Sequence, residues 1–464
     1  MHSDTPRRRI VILGGGFGGA YAAQRLSRRL RDRPDVEILL LDRQNYFIFY
    51  PLLVEAGTGN IEPRHAVVPL RDFLRGPNAR FIMAEVVSAD PAARTVSFEV
   101  AGIDADRHAI PNHTGENAGP ATSGGLRRTI SYDHLIVALG SVTRLPPVPG
   151  LHEFGFQMKS LSDAVALRDR AIFLLEVANT LEDPNERRAL LHFVVVGANF
   201  SGVEVAGEFQ VFLREAVRLY PNVGPDEPHV TLVEKADRIL PALDERLAGF
   251  AHDHLVRRGM DIRLHTTIER VEAGRAVLST GEAPATQTVI WCAGIAANPA
   301  VARLGLPVDE RGYILCGRDL RVQGFDDVWA IGDCAVNLDR QGRPYPATAQ
   351  HAVQQARVAA DNIAGVLLSG RPPRPCDAVS RGAIAALGCR TAVADVFGVK
   401  LSGFPAWWLW RTVYLLKMPT LGRKVRVALD WTLAMLFRKD FVQLGVHQVR
   451  ASEGKVPPSR SSPQ

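Results

Sequence analysis

RRIVILGGGFGGAYAA at residues 8–23 and HFVVVGANFSGVEVAGE at 192–208 are the stretches that decide the fold. Each opens on an apolar run, Ile10 to Leu13 and Phe193 to Val196, that reads as a buried parallel strand, and each continues into alanine-rich, apolar-periodic sequence that reads as a helix. The turn between them is a cradle for a pyrophosphate. Gly14 allows the tight turn, Gly16 lets backbone N–H groups approach phosphate oxygens, and Gly19 lets the helix pack close to the strand with its positive end facing the anion. A lone match to this glycine spacing is weak. The strand EILLLD at 37–42 strengthens it by ending in Asp42, whose carboxylate is placed for adenosine ribose hydroxyls, and TLVEK at 231–235 sets Glu234 likewise behind the second cradle. Two ordinary glycine-rich turns remain the alternative. Two dinucleotides in one chain imply electron transfer between them.

The second cradle has Gly197 and Gly202 but carries Asn199 where a glycine is usual, which loosens its fit to pyrophosphate or shifts the phosphate. Glu234 favours NADH over NADPH, because a carboxylate hydrogen-bonds a free 2′-hydroxyl and repels a 2′-phosphate; the adjacent Lys235 softens that preference. Further along, VWAIGDC at 328–334 places Asp333 after an apolar strand and Gly332, an arrangement that puts a carboxylate at a helix N-terminus, as a plain cap or as an acceptor for a hydroxyl under a flavin. Gln350 and Gln354 lie four apart on ATAQHAVQQA, hence on one helix face, where their amides face either a quinone carbonyl or solvent. Glu204, from spacing alone, is a first-turn carboxylate favoured by the helix dipole.

These residues resemble a known family, the two-dinucleotide-binding flavoproteins of the pyridine nucleotide-disulfide oxidoreductase type, and within it the type II NADH:quinone oxidoreductases. The resemblance runs from about Arg9 to about Leu444 through GGGFGG (14–19), DRQNYFIFYPLLVEAGTG (42–59), YDHLIVALGS (132–141), GVEVAGEF (202–209), VEKADRILP (233–241), WCAGIAANP (291–299), WAIGDCA (329–335) and PATAQHAVQQA (346–356). It implies non-covalent FAD held by the first cradle through Gly14, Gly16, Phe17, Gly18 and Gly19, by Asp42 and Arg43, by Pro51 and Leu52 near the isoalloxazine, and by Ala138, Gly140, Gly332, Asp333 and Ala349. It implies NADH held by Gly197, Asn199, Gly202, Glu234 and Gly294, with Glu204 projecting towards nicotinamide and flavin and Ala349 and Gln350 forming part of the quinone pocket beside the flavin ring. Leu139 departs from the family, which more often has Thr there; a hydroxyl is lost and the strand-to-turn path kept.

Composition suits a large folded body: 464 residues with 46% hydrophobic content can bury two or three cores. The five Cys (292, 316, 334, 376, 389) form no C-x-x-C pair and no metal-ligand spacing, which argues against a redox disulfide or a structural zinc, and no metal is expected. The basic start MHSDTPRRR runs straight into the first strand, with no cleavable apolar segment between, so a cytoplasmic body is expected. Residues 102–131 read as a long loop in a hairpin, and 451–464 as a disordered tail.

Residues 400–450 hold four of the six Trp (407, 408, 410, 431) and nine Lys/Arg against Asp430 and Asp440, a formal charge of +7 beside the +6 of the whole chain. FPAWWLWRTVYLLKMP (404–419) and GRKVRVALDWTLAMLFRK (422–439) read as amphipathic helices, the second with Val425, Leu429, Thr432, Leu433 and Leu436 along one face. Neither reaches the roughly 18–20 uncharged residues of a membrane span. Helices lying in the headgroups, Trp at the interface and cations towards anionic lipid, fit this pattern; a hairpin packed on the protein's own core or on a second subunit is the alternative. Nucleic acid is not expected, because the cations are interleaved with Trp and Leu.

The expected organisation is α/β: two Rossmann-like dinucleotide-binding domains, for FAD (1–155 and 305–390) and for NADH (156–304), then a C-terminal amphipathic helical region at the membrane surface (391–450) and the tail. The expected activity is FAD-dependent oxidation of NADH with two-electron reduction of a lipid-soluble quinone to quinol, without proton pumping, at the cytoplasmic face of the cell membrane as a respiratory-chain entry point. A homodimer stays open. The rivals are a soluble flavoprotein reductase serving a protein acceptor such as a ferredoxin, and a non-catalytic flavin-binding redox sensor.

Overall fold

The computed structural model describes residues 7–74, 76–100 and 125–445. The loop expected from 102 lies outside these residues up to 124, as does the tail expected at 451–464.

The two apolar runs become the central strands of two separate five-stranded parallel sheets. Strand Arg8–Leu13 lies between Val36–Asp42 and His134–Val137, with Ala79–Met83 and Val328–Ala330 at the edges. Its register pairs Ile10 with Ile38 on one side and with His134 on the other. Strand His192–Val196 lies between His229–Val233 and Thr288–Trp291, flanked by Asp261–Arg263 and Gly155–Gln157. Both central strands are covered on both faces, which is why they read as continuous apolar runs rather than alternating ones. Helix Phe17–Arg29 follows the first strand and packs on the long helix Ala349–Ser369; helix Phe200–Ala216 follows the second and buries Val203, Ala206, Phe209 and Phe212.

Residues 126–131, expected within a loop, instead form a strand, Leu126–Ser131, that pairs antiparallel with Thr95–Val100. Only Ile130 of this edge strand is even half-buried, so LRRTIS shows no apolar alternation to betray it.

After the long helix the chain forms an antiparallel sheet of Gly382–Gly388, Thr391–Val396 and Val399–Gly403, then helices Phe404–Lys417 and Leu421–Leu436. The turn of its first hairpin falls at Cys389 and Arg390. The sheet docks on helix Phe200–Ala216 at a glycine pair: a Cβ on Gly207 would lie 2.6 Å from the Leu387 carbonyl oxygen, and one on Gly388 would lie 2.6 Å from that of Gly207. This contact brings Ala386 against the helix that carries Glu204. The two helices do pack on the body, through Ala406, Trp407, Trp410, Val427 and Trp431, while the face formed by Val425, Leu429, Leu433 and Leu436 stays exposed. Three of the four tryptophans expected at a lipid interface therefore face inward, and Trp408 alone of them is exposed. Arg411, which interrupts the first helix in sequence, lies between the rings of Trp407 and Trp431, at 4.3 and 4.6 Å from their centroids.

His192 shows how tightly the second sheet is built. Its ring stacks on His229 at 3.9 Å, its Nδ1 lies 2.8 Å from the Ala285 carbonyl and its Nε2 2.8 Å from Thr231 Oγ1. Burial first, and then the neighbouring His229, hold its pKa down from the ordinary 6.5 to about 4. Between those values the unfolded chain binds more protons than the folded one, so stability present above pH 6.5 is lost as pH falls towards 4, by about 3 kcal/mol for this ring. The melting temperature is expected to drop across that window and to drop less steeply in His192→Gln. An unchanged slope in the variant would remove His192 from the effect.

Candidate active site

The carboxyl ends of the strands and the start of the C-terminal region enclose a cleft of about 2800 Å³. The glycines of its first cradle divide by what a side chain would meet. At Gly14, with φ +97°, a Cβ would lie 2.4 Å from the Ala138 carbonyl oxygen, and at Gly19 it would lie 1.8 Å from that of Gly14. At Gly16 it would meet nothing within 4 Å, because this residue faces the cleft. The second cradle repeats the geometry: Gly197 has φ +94°, and a Cβ on Gly202 would lie 1.7 Å from the Gly197 carbonyl oxygen. Asn199 holds φ −72°, ψ −176°, close to the −74°, −162° of Gly16, so it carries a side chain where the first cradle is open. Neither helix has a side-chain cap or an acidic residue in its first turn, which leaves the N-terminal N–H groups to an anion.

The two strand-end carboxylates are matched. Asp42 accepts the Gly15 N–H at 2.5 Å and the Gln44 N–H at 2.7 Å; Glu234 accepts those of Ala198 at 2.5 Å and Ala236 at 2.8 Å. Each closes its own turn, and each oxygen keeps a lone pair for a further donor. Asp42 also lines the cleft, and burial raises its pKa.

Phe17, Gly18, Arg43, Pro51, Ala138, Gly140, Gly294, Gly332 and Ala349 line the cleft as well. Gly19, Gly197, Gly202 and Glu234 do not; the three glycines shape the turns from behind. Leu52, expected beside a flavin, is instead fully buried in the core under the first sheet, and its neighbours Tyr50 and Pro51 take the cleft wall. Asp333 sits in a single 3-10 turn, Gly332–Cys334, rather than at the start of a long helix. It accepts the Ser141 hydroxyl at 3.3 Å; burial raises its pKa, and Lys159 offsets part of that rise.

Lys159 escaped the sequence reading. It lines the cleft, its Nζ lies 5.4 Å from the centre of the Tyr50 ring, and desolvation lowers its pKa. Its one sequence signal is the capping box that follows, in which Ser160 accepts the Asp163 N–H at 3.1 Å and starts helix Leu161–Ala178. The far wall was missed too: Val413, Tyr414, Leu416 and Lys417 extend the cleft to the C-terminal helices.

Glu204 lies beyond the first turn of its helix, so the helix dipole does not explain it. It lines the cleft and accepts the Ala386 N–H at 3.1 Å, and burial pushes its pKa up to about 8. The amides of Gln350 and Gln354, expected to be free for a ligand, are both engaged. Gln350 donates to the Gly382 carbonyl at 3.2 Å and accepts the Arg381 N–H at 3.0 Å; Gln354 donates to the Val379 carbonyl at 2.9 Å and accepts the Val379 N–H at 3.0 Å. Both residues still line the cleft, and their bonded role is to fix the entry to the C-terminal sheet. Among the described residues no group of three or more His, Cys, Asp or Glu side chains could hold a metal ion.

Two parallel sheets, each with a glycine cradle at the carboxyl end of its central strand and both bordering one cleft, define a two-dinucleotide oxidoreductase. The chain belongs to the pyridine nucleotide-disulphide oxidoreductase family, whose model matches residues 8–356. Residues 381–440 match the NDH2 C-terminal domain, which places the chain with the type II NADH:quinone oxidoreductases. It is 30% identical to the demethylphylloquinone reductase NdbB of Synechocystis sp. over 92% of this chain and 96% of that one. It is 29% identical to the type II NADH:quinone oxidoreductase Ndh of Mycobacterium tuberculosis over 94% of this chain and 89% of that one. NDH2 from Plasmodium falciparum in complex with RYL-552 shares the fold, with a TM-score of 0.83 at 18% identity, over 94% of this chain and 100% of that one.

Proposed function

We propose that the chain oxidises NADH and reduces a membrane quinone to quinol, with FAD as the resident cofactor. The observation that carries this reading is the single cleft, which runs from the open position at Gly16, past Asn199 and Glu204, to the foot of the C-terminal helices. FAD fits the first cradle because Gly16 alone of its fixed glycines has room in front of it, while Asp42 and Asp333 bracket the cleft with carboxylates. When bound, FAD supplies the two-electron chemistry that links a nicotinamide to a quinone. The residues in contact with it would be Gly14, Gly16, Phe17, Asp42, Pro51 and Asp333, and Asn199 and Glu204 would face NADH.

The exposed Val425, Leu429, Leu433 and Leu436, flanked by Arg423, Lys424 and Arg426, support a docking face for the cytoplasmic leaflet. No helix of the described residues is long and apolar enough to cross a membrane. In this reading 1–155 and 305–390 bind FAD, 156–304 binds NADH, and 391–450 meets the lipid.

Glu204 holds a proton at neutral pH in a position to give it to a reduced acceptor. Quinone-dependent NADH oxidation is expected to fall as pH rises through about 8, and Glu204→Gln is expected to lose about a hundredfold in that rate and the alkaline limb with it. A wild-type limb retained in Glu204→Gln would assign the proton to another group. The function itself is tested by comparing acceptors: NADH oxidation should run with a short-chain quinone, and a protein acceptor reduced in its place would favour the soluble-reductase reading.

A further inference from the structure

Quinol formation from NADH needs a proton that NADH does not carry. The reaction NADH + H⁺ + quinone → NAD⁺ + quinol takes two electrons and one proton from the nicotinamide, and its second proton from water. Glu204 stands at the cleft wall, and two more carboxyls lie behind it. Glu208 is four residues on and so on the same helix face; it is buried and accepts the Asn60 amide at 3.1 Å. Glu55, on the short helix Leu53–Gly57 that packs against the Glu204 helix, is buried and accepts the Trp431 indole N–H at 2.7 Å. Neither lines the cleft, so neither serves in holding a dinucleotide.

All three carboxyls have pKa values raised, by burial first; the charges of Glu208 and Glu55 add to the rise at Glu204, and that of Glu208 adds to the rise at Glu55. The cations that face them are Arg411, from the helix above, and Lys439, which both act on Glu55 and Glu208, and Arg258, which acts on Glu208. The indole N–H of the buried Trp410 is directed at Glu204 and offsets part of that rise. Buried acids that feel one another's charge resist ionising together, so a proton added to one eases its passage to the next.

We propose that Glu208 and Glu55 extend Glu204 into a buried carboxylic-acid relay that brings the second proton of quinol formation from beneath the C-terminal helices rather than through the cleft. The proton enters beside the half-buried Asn60, passes among the three carboxyls and leaves from Glu204, which is reprotonated from Glu208 after each turnover. The relay rests on the quinone-reductase reading of the same cleft.

The test uses the flavin-loaded full chain, reduced anaerobically with one equivalent of NADH and then mixed with a short-chain quinone in H₂O and in D₂O. Glu208→Gln and Glu55→Gln are expected to bleach with NADH as the wild type does, to reoxidise about tenfold more slowly and to show a larger solvent isotope effect, with Glu208→Asp restoring most of the rate. Glu55→Gln keeps an oxygen for the Trp431 N–H, so it serves if Glu208→Gln melts below the assay temperature. Wild-type reoxidation rates and isotope effects in both Gln variants would reduce the cluster to structural packing. Wild-type flavin that quinone fails to reoxidise would overturn the underlying function, and the relay with it.

Discussion

Gly16→Val is expected to give a folded but colourless protein, with less than about a tenth of the wild-type flavin and a loss of at least about a hundredfold in NADH oxidation. The backbone of Gly16 is ordinary for any residue, at φ −74°, and a Cβ there meets nothing of the protein within 4 Å. Folding should therefore tolerate the change, while the branched side chain fills the space through which a pyrophosphate reaches the helix N-terminus. Gly19→Ala sets the contrast: its Cβ would lie 1.8 Å from the Gly14 carbonyl oxygen, forcing strand and helix apart at a cost of about 3 kcal/mol or more. Flavin absorbance and melting temperature, read together on both variants, separate the two effects. A yellow Gly16→Val protein would place the flavin elsewhere.

Loss of membrane binding is the second large effect expected. Leu429 and Leu433 are 56% and 53% exposed on the free face of helix Leu421–Leu436, so Leu429→Glu with Leu433→Glu removes no internal contact of consequence. Burying each leucine in lipid is worth about 1.5 kcal/mol or more, so the pair should weaken adsorption by a hundredfold or more, and the added negative charges repel anionic headgroups further. Co-sedimentation with vesicles containing anionic lipid should fall accordingly, while reduction of a water-soluble short-chain quinone should persist. Undiminished sedimentation would show that another surface meets the membrane.

The parts of this architecture legible in the sequence are those whose physics is local. Val194 and Val195, or Leu39 and Leu40, declare a strand covered on both sides, and the spacing of Gly14, Gly16 and Gly19 declares the turn that follows. What stayed hidden depended on partners far along the chain. Gln350 looked available because the carbonyl it bonds, at Gly382, lies 32 residues away. Trp407, Trp410 and Trp431 looked interfacial because an aromatic helix face has the same spacing whether it meets lipid or protein; the exposed leucines beside them are the part that stayed free. Leu52 was read with Pro51 as one motif, although a 3-10 turn points the two side chains to opposite sides of the cleft wall. Lys159 carried no motif, since what makes it informative is its placement beside Asp333 and Tyr50. Glu208 and Glu55 were hidden for the same reason: a buried acid is recognised by its surroundings, and those of Glu55 include Trp431, 376 residues away.

The measurement that bears most directly on the function is anaerobic mixing of the purified yellow protein with NADH, followed by a short-chain quinone, with the oxidised-flavin absorbance recorded throughout. Bleaching by NADH and full recovery on adding quinone is the expected result. Absorbance that NADH leaves unchanged, or that quinone fails to restore, would contradict NADH:quinone oxidoreductase activity at this cleft.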